Sequence, residues 1–311
     1  MIVTTRGSWL YFMFAARGTT LSRIWRRLTF NGTFALVMTL GHMRYGWLDG
    51  RDVTPLPFTL IGFVLSIFLG FRINTAYDRY WEGRRLWGQL VNTCRTLARQ
   101  VQTLVGAGDG AAVLERRRRL IYLVMAFPHA LRMRLRGEET MVTDLAPFMS
   151  ASELEQIKTE RNRPNALVQR MAEQLDEAYR AELIHPMHLS LLHQTLTALT
   201  DVQGGCERIA NTPIPFAYQV LLRHIIGAYC YALPFGVLLP LGLMTPVVVV
   251  MMSYAFYGLD ALGEEIQDPF GSDPNDLPLS ALCRTIELDL RQRLGETELP
   301  EPAQPHHGQL L

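Results

Sequence analysis

Three uncharged stretches constrain this chain more than any other feature of its sequence. Residues 28–41, 53–71 and 225–259 contain no charged side chain over 14, 19 and 35 residues, although the chain carries 30 basic and 29 acidic residues. A helix needs about 20 apolar residues to cross a bilayer, and a charge at its centre costs roughly 2.5–3.5 kcal/mol. These stretches predict membrane-spanning helices. The alternative is a set of buried helices in a soluble core.

The longest stretch is too long for a single span. Pro240 and Pro246 bracket a short segment near its middle, which predicts two helices joined by a tight turn. The chain is therefore expected to contain four transmembrane helices. No strand-like alternation of apolar and polar residues occurs over any length, so the predicted fold class is all-α.

Arginines mark both ends of the first predicted pair of spans. The first 48 residues contain no acidic residue, while arginines cluster within residues 17–27 and again within residues 72–85. Segments rich in arginine tend to stay on the cytoplasmic side of a membrane. We therefore expect both ends of each pair of spans, and both termini, to be cytoplasmic.

The segments outside the spans also have helical patterns. Apolar residues recur at helical spacing beyond residue 72, and a glycine-rich break at Gly106–Gly110 separates that helix from another over residues 116–133. Residues 152–210 are again expected to be helical, with a capping box from Ser152 to Glu155. The C-terminal segment is acidic and ends in a proline-rich tail at residues 300–309, which is predicted to be disordered.

The sequence offers little support for catalysis or for a resident metal or cofactor. The four cysteines lie far apart, and His185, His188 and His193 do not share one helical face or form a His-Glu-x-x-His motif. The glycine-rich break follows a helix and lacks the Lys-Ser/Thr of a phosphate loop. The formal net charge of +1 excludes a dedicated nucleic-acid binder. We predict no enzyme activity, metal site or cofactor.

An apolar stripe runs along the second span. Phe63, Ile67 and Phe71 are spaced by four residues, and three small or polar residues suited to close helix packing lie opposite: Gly62, Ser66 and Gly70. From spacing alone the stripe indicates either bundle packing or a hydrophobic pore constriction that gates by dewetting. A second notable element is residues 211–216, where two prolines flank Ile214 and fix the entry into a helix.

Four segments together resemble the bestrophin family, in its bacterial and plastid branch. They occur in the family's order and bracket roughly residues 1–290. Their sequences are FVLSIFLGF (63–71), RINTAYDRYWEGRRLWG (72–88), NTPIPFAY (211–218) and FYGLDALGEEIQDPFG (256–271), the last continued by SDPNDLPL.

The resemblance implies a homopentamer around a single axial pore in the inner (plasma) membrane. It implies that Phe63, Ile67 and Phe71 form the pore neck and that Ile214, directly before a proline, forms a cytosolic aperture. The implied activity is passive conduction of small monovalent ions, chloride by family default, although a cation such as sodium is also compatible. The implied partners are these ions, membrane lipid and further copies of the chain.

The resemblance also draws attention to an acidic turn. Animal members of the family bind calcium with a run of acidic residues, and the matching residues here are Asp273, Asn275 and Asp276, with Pro274 interrupting the run. Calcium takes six to eight oxygen ligands, usually from several carboxylates. We therefore expect weak or no calcium activation. The other role for Asp273 and Asp276 is turn formation and helix capping beside Pro274 and Pro278.

These expectations divide the chain into four parts. They are an N-terminal arm with the first pair of spans (1–72), a cytosolic helical region (73–212), the second pair of spans (213–262), and an acidic cytosolic segment with a disordered tail (263–311). A rival hypothesis is a non-conducting membrane scaffold or sensor whose cytosolic region binds an unknown partner protein. An oligomer too small to form a ring would favour that rival.

Overall fold

The fold is all-α, as the sequence predicts. The structure, a computed structural model, describes residues 18–48, 54–106, 108, 110–305 and 309–310, with the side chains of residues 139–143 not described, and no β-strand occurs in these ranges. The first 17 residues of the predicted N-terminal arm lie outside the described residues. So do residues 306–308 of the predicted disordered tail, and residue 311 after it.

Nine α-helices and two 3₁₀ helices make up the described part of the chain. The α-helices are α1 (Leu21–Tyr45), α2 (Leu56–Leu104), α3 (Ala111–Arg136), α4 (Ala151–Thr159), α5 (Arg163–Arg180), α6 (Pro186–Asn211), α7 (Phe216–Leu241), α8 (Thr245–Ile266) and α9 (Leu279–Arg293). The 3₁₀ helices are Glu139–Phe148 and Gly242–Met244.

The helices form two compact units. The hairpin unit consists of the described residues up to Tyr80 together with Pro213–Asp268, and the bundle unit consists of Trp81–Thr212 together with the described residues from Pro269 onward. The hairpin unit therefore contains α1, α7, α8 and the first half of α2. The boundaries of the four predicted parts of the chain remain predictions.

The uncharged stretches lie in the helices of the hairpin unit. Residues 28–41 fall in α1, and most of the second stretch falls in α2. The longest stretch forms α7 and α8, and the three-residue Gly242–Met244 helix supplies the predicted turn between them. Two helical stretches of the described residues, Leu56–Leu104 (α2) and Phe216–Ile266 (α7, the Gly242–Met244 helix and α8), are long and apolar enough to cross a membrane.

Small residues let the helices of the hairpin unit approach closely. A Cβ added at Gly236 of α7 would overlap the ring of Phe58 in α2, and one at Gly32 of α1 would lie 2.8 Å from Val250 in α8. Close backbone approach of this kind is the main source of helix association where lipid removes the hydrophobic driving force. These glycines therefore set the spacing of the helices within the unit.

The bundle unit is built around α3. From Leu120 to Met133 nearly every residue of this helix is buried, whichever way its side chain points. A helix that is buried on all sides needs neighbours on all sides, and α5, α6, α9 and the first 3₁₀ helix pack against it. The predicted glycine-rich break lies directly before it, with Gly106 and Gly108 at positive φ, a conformation that side-chain-bearing residues rarely adopt.

The capping box lies two residues earlier than predicted. The hydroxyl of Ser150 accepts the backbone N–H of Glu153, and the Glu153 carboxylate accepts the backbone N–H of Ser150, so α4 begins at Ala151. The prediction of a box from Ser152 to Glu155 is wrong. Both serines have a glutamate three residues later, and the extended backbone at Ser150 decides which one caps.

Candidate functional site

The first half of α2 presents one exposed row of side chains. Phe63, Ile67 and Phe71 are 67%, 44% and 61% exposed, and Asn74 and Asp78 beyond them are also exposed. At 3.6 residues per turn these five positions fall within about 80° of arc. This set, Phe63 to Asp78, is called the exposed row below.

The opposite face of the same half-helix is buried. Its members, centred about 180° from the exposed row and called the buried row below, are Gly62, Leu65, Leu69, Arg72 and Ala76. A Cβ at Gly62 would lie 2.7 Å from the hydroxyl of Tyr229 in α7. The predicted close packing therefore holds at Gly62. It does not hold within the described chain for Gly70, where an added Cβ would meet no atom within 4 Å, or for Ser66, which is exposed and donates to the Gly62 carbonyl of its own helix.

A buried ion pair anchors the buried row. The side chain of Arg72 is fully buried, and its Nη1 donates to Oδ1 of Asp260 in α8, whose side chain is 3% exposed. Removing one partner of such a pair leaves an uncompensated buried charge, which costs about 3–5 kcal/mol. The pair therefore fixes α2 against α8 directly behind Phe71.

A second arginine completes this charged cluster. Nη2 of Arg223 in α7 lies 2.6 Å from Oε1 of Glu264, and its Nε lies 3.8 Å from Oδ2 of Asp260. Three helices of the hairpin unit thus meet through two arginines and two carboxylates. The predictions from sequence did not include this cluster. The available signal was an arginine directly after one uncharged stretch and an aspartate directly after another.

Ile214 lies in the segment that leads into α7. Unlike the first three residues of the exposed row it is only 7% exposed within the single chain. Its backbone carbonyl accepts the side-chain amide of Gln219 at 2.9 Å, and Pro215 is the N-cap of α7. The predicted helix start is confirmed. Ile214 belongs to the same unit as the exposed row.

The acidic residues after α8 form a compact turn. Oδ2 of Asp276 accepts the backbone N–H of Asp273 at 2.6 Å, and the Asp273 carbonyl accepts the backbone N–H of Asp276 at 3.0 Å. The side chain of Asp276 is therefore used within the turn itself. Within the described residues, no group of three or more His, Cys, Asp or Glu side chains could hold a metal ion.

The histidines have local roles in α6. His185 is the N-cap residue, and its Nδ1 accepts the backbone N–H of Met187 at 3.3 Å. The His188 ring lies 5.6 Å from that of His185, while His193 is exposed to solvent. The structure does not bring the three together as a ligand set.

Comparison with known proteins places these features in a family. Residues 1–292 match the model of the family described as bacterial/fungal bestrophin protein. The chain is 40% identical over its full length to a protein of Escherichia coli O157:H7 named voltage-dependent anion channel-forming protein YneE, which is also covered completely. It is 37% identical to the voltage-dependent anion channel-forming protein RSc3414 of Ralstonia nicotianae, with 97% of each chain covered.

Solved structures resemble the chain in three dimensions as well. A crystal structure of a bacterial bestrophin homolog from Klebsiella pneumoniae superposes with a TM-score of 0.82 at 34% identity, covering 88% of this chain and 100% of that chain. A second crystal structure, of a membrane protein carrying a single substitution, gives the same TM-score and identity, with 89% of this chain and 100% of that chain covered. Similarity in sequence and in backbone thus extends over both units.

Proposed function

The chain belongs to the bacterial and fungal bestrophin family, and from this premise we propose that it is a homopentameric channel conducting small monovalent anions passively across the bacterial inner membrane. Phe63, Ile67 and Phe71 of each copy form an apolar neck, and Ile214 forms an aperture on the cytoplasmic side. The names of the relatives, voltage-dependent anion channel-forming proteins, support the anion. Both termini are assigned to the cytoplasm because of the flanking arginines.

The observation that carries this proposal is the exposed row of α2. Three large apolar side chains at four-residue spacing stay exposed in the single chain, while the opposite face of the helix is packed. Five copies of such a stripe around one axis make a ring of apolar side chains. A ring of this kind controls passage by wetting and dewetting, and it leaves charge selection to polar groups outside it.

The remaining exposed apolar surface of the hairpin unit suits lipid and neighbouring copies. Apolar side chains of α1, α7 and α8 are exposed in the single chain, among them Phe30, Val37, Val247 and Met251. Large exposed apolar patches mark membrane or subunit contacts.

We assign the four parts of the chain the roles predicted from the sequence: arm and first spans, cytosolic helices, second spans, and acidic cytosolic segment.

The test is current through the purified full-length protein in a planar bilayer under asymmetric potassium chloride. Wild-type protein should give single-channel currents that reverse toward the chloride equilibrium potential. Replacing Phe63, Ile67 and Phe71 together by alanine should raise the single-channel conductance several-fold, because the ring widens and wets more readily.

A matched variant controls for the loss of apolar volume. Ile61, Val64 and Phe68 are also exposed residues of α2, but their centre lies about 90° around the helix from the centre of the neck residues. Their triple alanine variant should conduct like wild type. Equal conductance of the neck variant and the wild type would refute the neck. A monomer or dimer in mild detergent would refute the pentamer and favour a scaffold.

A further inference from the structure

The exposed row changes character along its length. Phe63, Ile67 and Phe71 are apolar, Asn74 is polar and uncharged, and Asp78 is acidic. All five are exposed on one face of one uninterrupted helix within the hairpin unit. Asp78 is therefore the first charged residue that follows the neck residues on their own face.

Asp78 is also free to act on ions. It forms no ion pair or side-chain hydrogen bond with any described residue, whereas the other charged residue on this stretch, Arg72, is buried and paired with Asp260 on the opposite face. The next residue, Arg79, donates its Nε to the Gln267 carbonyl at 2.9 Å. No cation of the described residues neutralises the Asp78 carboxylate.

We propose that Asp78 is a specificity-determining residue of the channel, and that its carboxylate lowers the permeability of anions relative to cations. This inference rests on the proposed function, because only an assembled pore with the exposed row toward its axis brings five copies of Asp78 around one path. Seven residues of helix place Asp78 about 10 Å beyond Phe71 along the helix axis. That distance is close to one Debye length at physiological ionic strength, so the field of a carboxylate ring reaches the end of the neck.

The inference predicts a graded series of reversal potentials in asymmetric potassium chloride. The Asp78→Glu variant keeps the charge and should behave like wild type. The Asp78→Asn variant should raise the chloride-to-potassium permeability ratio roughly two- to fivefold, the scale expected for a few charges acting through water. The Asp78→Arg variant should raise the ratio further.

Salt dependence separates an electrostatic role from a structural one. The difference between wild type and Asp78→Asn should shrink as salt rises toward about 1 M, where the Debye length falls to about 3 Å. A change in pore shape would persist at every salt concentration. The charge-matched control is Asp176→Asn, which removes a partly exposed carboxylate of α5 that pairs with Arg180, and it should leave the reversal potential unchanged.

A chemical version of the test changes the charge at position 78 after the channel has assembled. All four native cysteines are buried, so an Asp78→Cys variant offers one exposed thiol on an already assembled channel. A negatively charged methanethiosulfonate should lower the chloride-to-potassium ratio, and a positively charged one should raise it. Opposite shifts by the two reagents support the inference.

The outcomes also distinguish this inference from the proposed function. If the Asn, Arg and modified Cys variants all have the reversal potential of the wild type, the proposed role of Asp78 is wrong. A conductance increase in the triple alanine neck variant would still support the neck assignment. A wild-type protein that conducts no ion would overturn both.

Discussion

The two faces of α2 in the hairpin unit differ in burial and contacts far more than in composition. The exposed row carries Phe63, Ile67 and Phe71, and the buried row carries Leu65 and Leu69, so both are strongly apolar. Only the buried row contains a glycine in close contact and a charge paired with another helix. Hydrophobicity therefore does not separate the packed face of this helix from its exposed face. Small residues and paired charges do.

Breaking the ion pair of the buried row should give the largest effect. Asp260→Ala leaves Arg72 as an unpaired buried cation, so we expect a loss of about 3–5 kcal/mol. The measurement is the thermal unfolding midpoint in detergent. Glu264→Ala is the control, because its pair with Arg223 is between partly exposed side chains and should be worth less than about 1 kcal/mol. Equal losses would show that burial of the pair is unimportant.

Replacing one leucine of the buried row by alanine should lower the stability of the fold nearly as much. Leu69 is 1% exposed, and removing a buried leucine side chain typically costs about 2–5 kcal/mol through lost contacts and the cavity left behind. Leu69→Ala should therefore lower the unfolding midpoint. Ile67→Ala, two positions away on the exposed row, should leave the midpoint nearly unchanged and alter conductance. If Ile67→Ala lowered the midpoint and Leu69→Ala did not, the assignment of the packed and exposed faces would be wrong.

A titratable group in the bundle unit extends the comparison to a buried face outside the predicted spans. Burial, reinforced by the positive charges of Arg132 and Arg284, lowers the pKa of His129 to about 4, although Asp144 acts in the opposite direction. The unfolded chain then binds a proton between about pH 6.5 and 4 that the folded chain does not. Stability is complete above about pH 6.5 and should fall by about 3 kcal/mol as the pH drops to 4.

Denaturant unfolding across this pH range measures that loss. His129→Leu removes the titrating group and should flatten the profile between about pH 6.5 and 4. The exposed His193→Leu is the matched histidine control and should leave the profile as in wild type. A wild-type midpoint that stays constant over this range would contradict the assignment.

The smallest effect concerns the start of α4. Ser150→Ala removes the capping hydroxyl and should cost about 1 kcal/mol. Ser152→Ala, two residues later and exposed, should be nearly neutral because its hydroxyl only contacts that of Ser150. Unfolding midpoints of the two variants compare them directly. A larger loss of stability for Ser152→Ala than for Ser150→Ala would instead support the capping box from Ser152 to Glu155.

The sequence predicts the helices well because their signals are local. The two prolines in the third uncharged stretch correctly indicate the break between α7 and α8, and the glycine-rich break correctly separates α2 from α3. The capping box fails because Ser150 and Ser152 present the same motif, and only the backbone conformation separates them. Local pattern cannot choose between two overlapping copies of one motif.

The candidate site can be predicted only in part from the sequence. Spacing by four residues puts Phe63, Ile67 and Phe71 on one face, but it does not say whether that face is packed or exposed. The pairing of Arg72 with Asp260 joins residues 188 positions apart, and no periodicity within one helix encodes such a contact. The roles of the neck residues and of Ile214 stay predictions until currents are measured.

The short link between α7 and α8 has a consequence for biosynthesis. Its three residues, Gly242–Met244, and the helical residues on either side carry no charge from Ile225 to Leu259. Insertion of this pair as one hairpin therefore moves no charged side chain through the hydrocarbon, and each such transfer would cost roughly 2.5–3.5 kcal/mol. In the proposed topology this link presents only three residues, none of them charged, on the far side of the membrane. A topology tag placed there should report the orientation of α7 and α8.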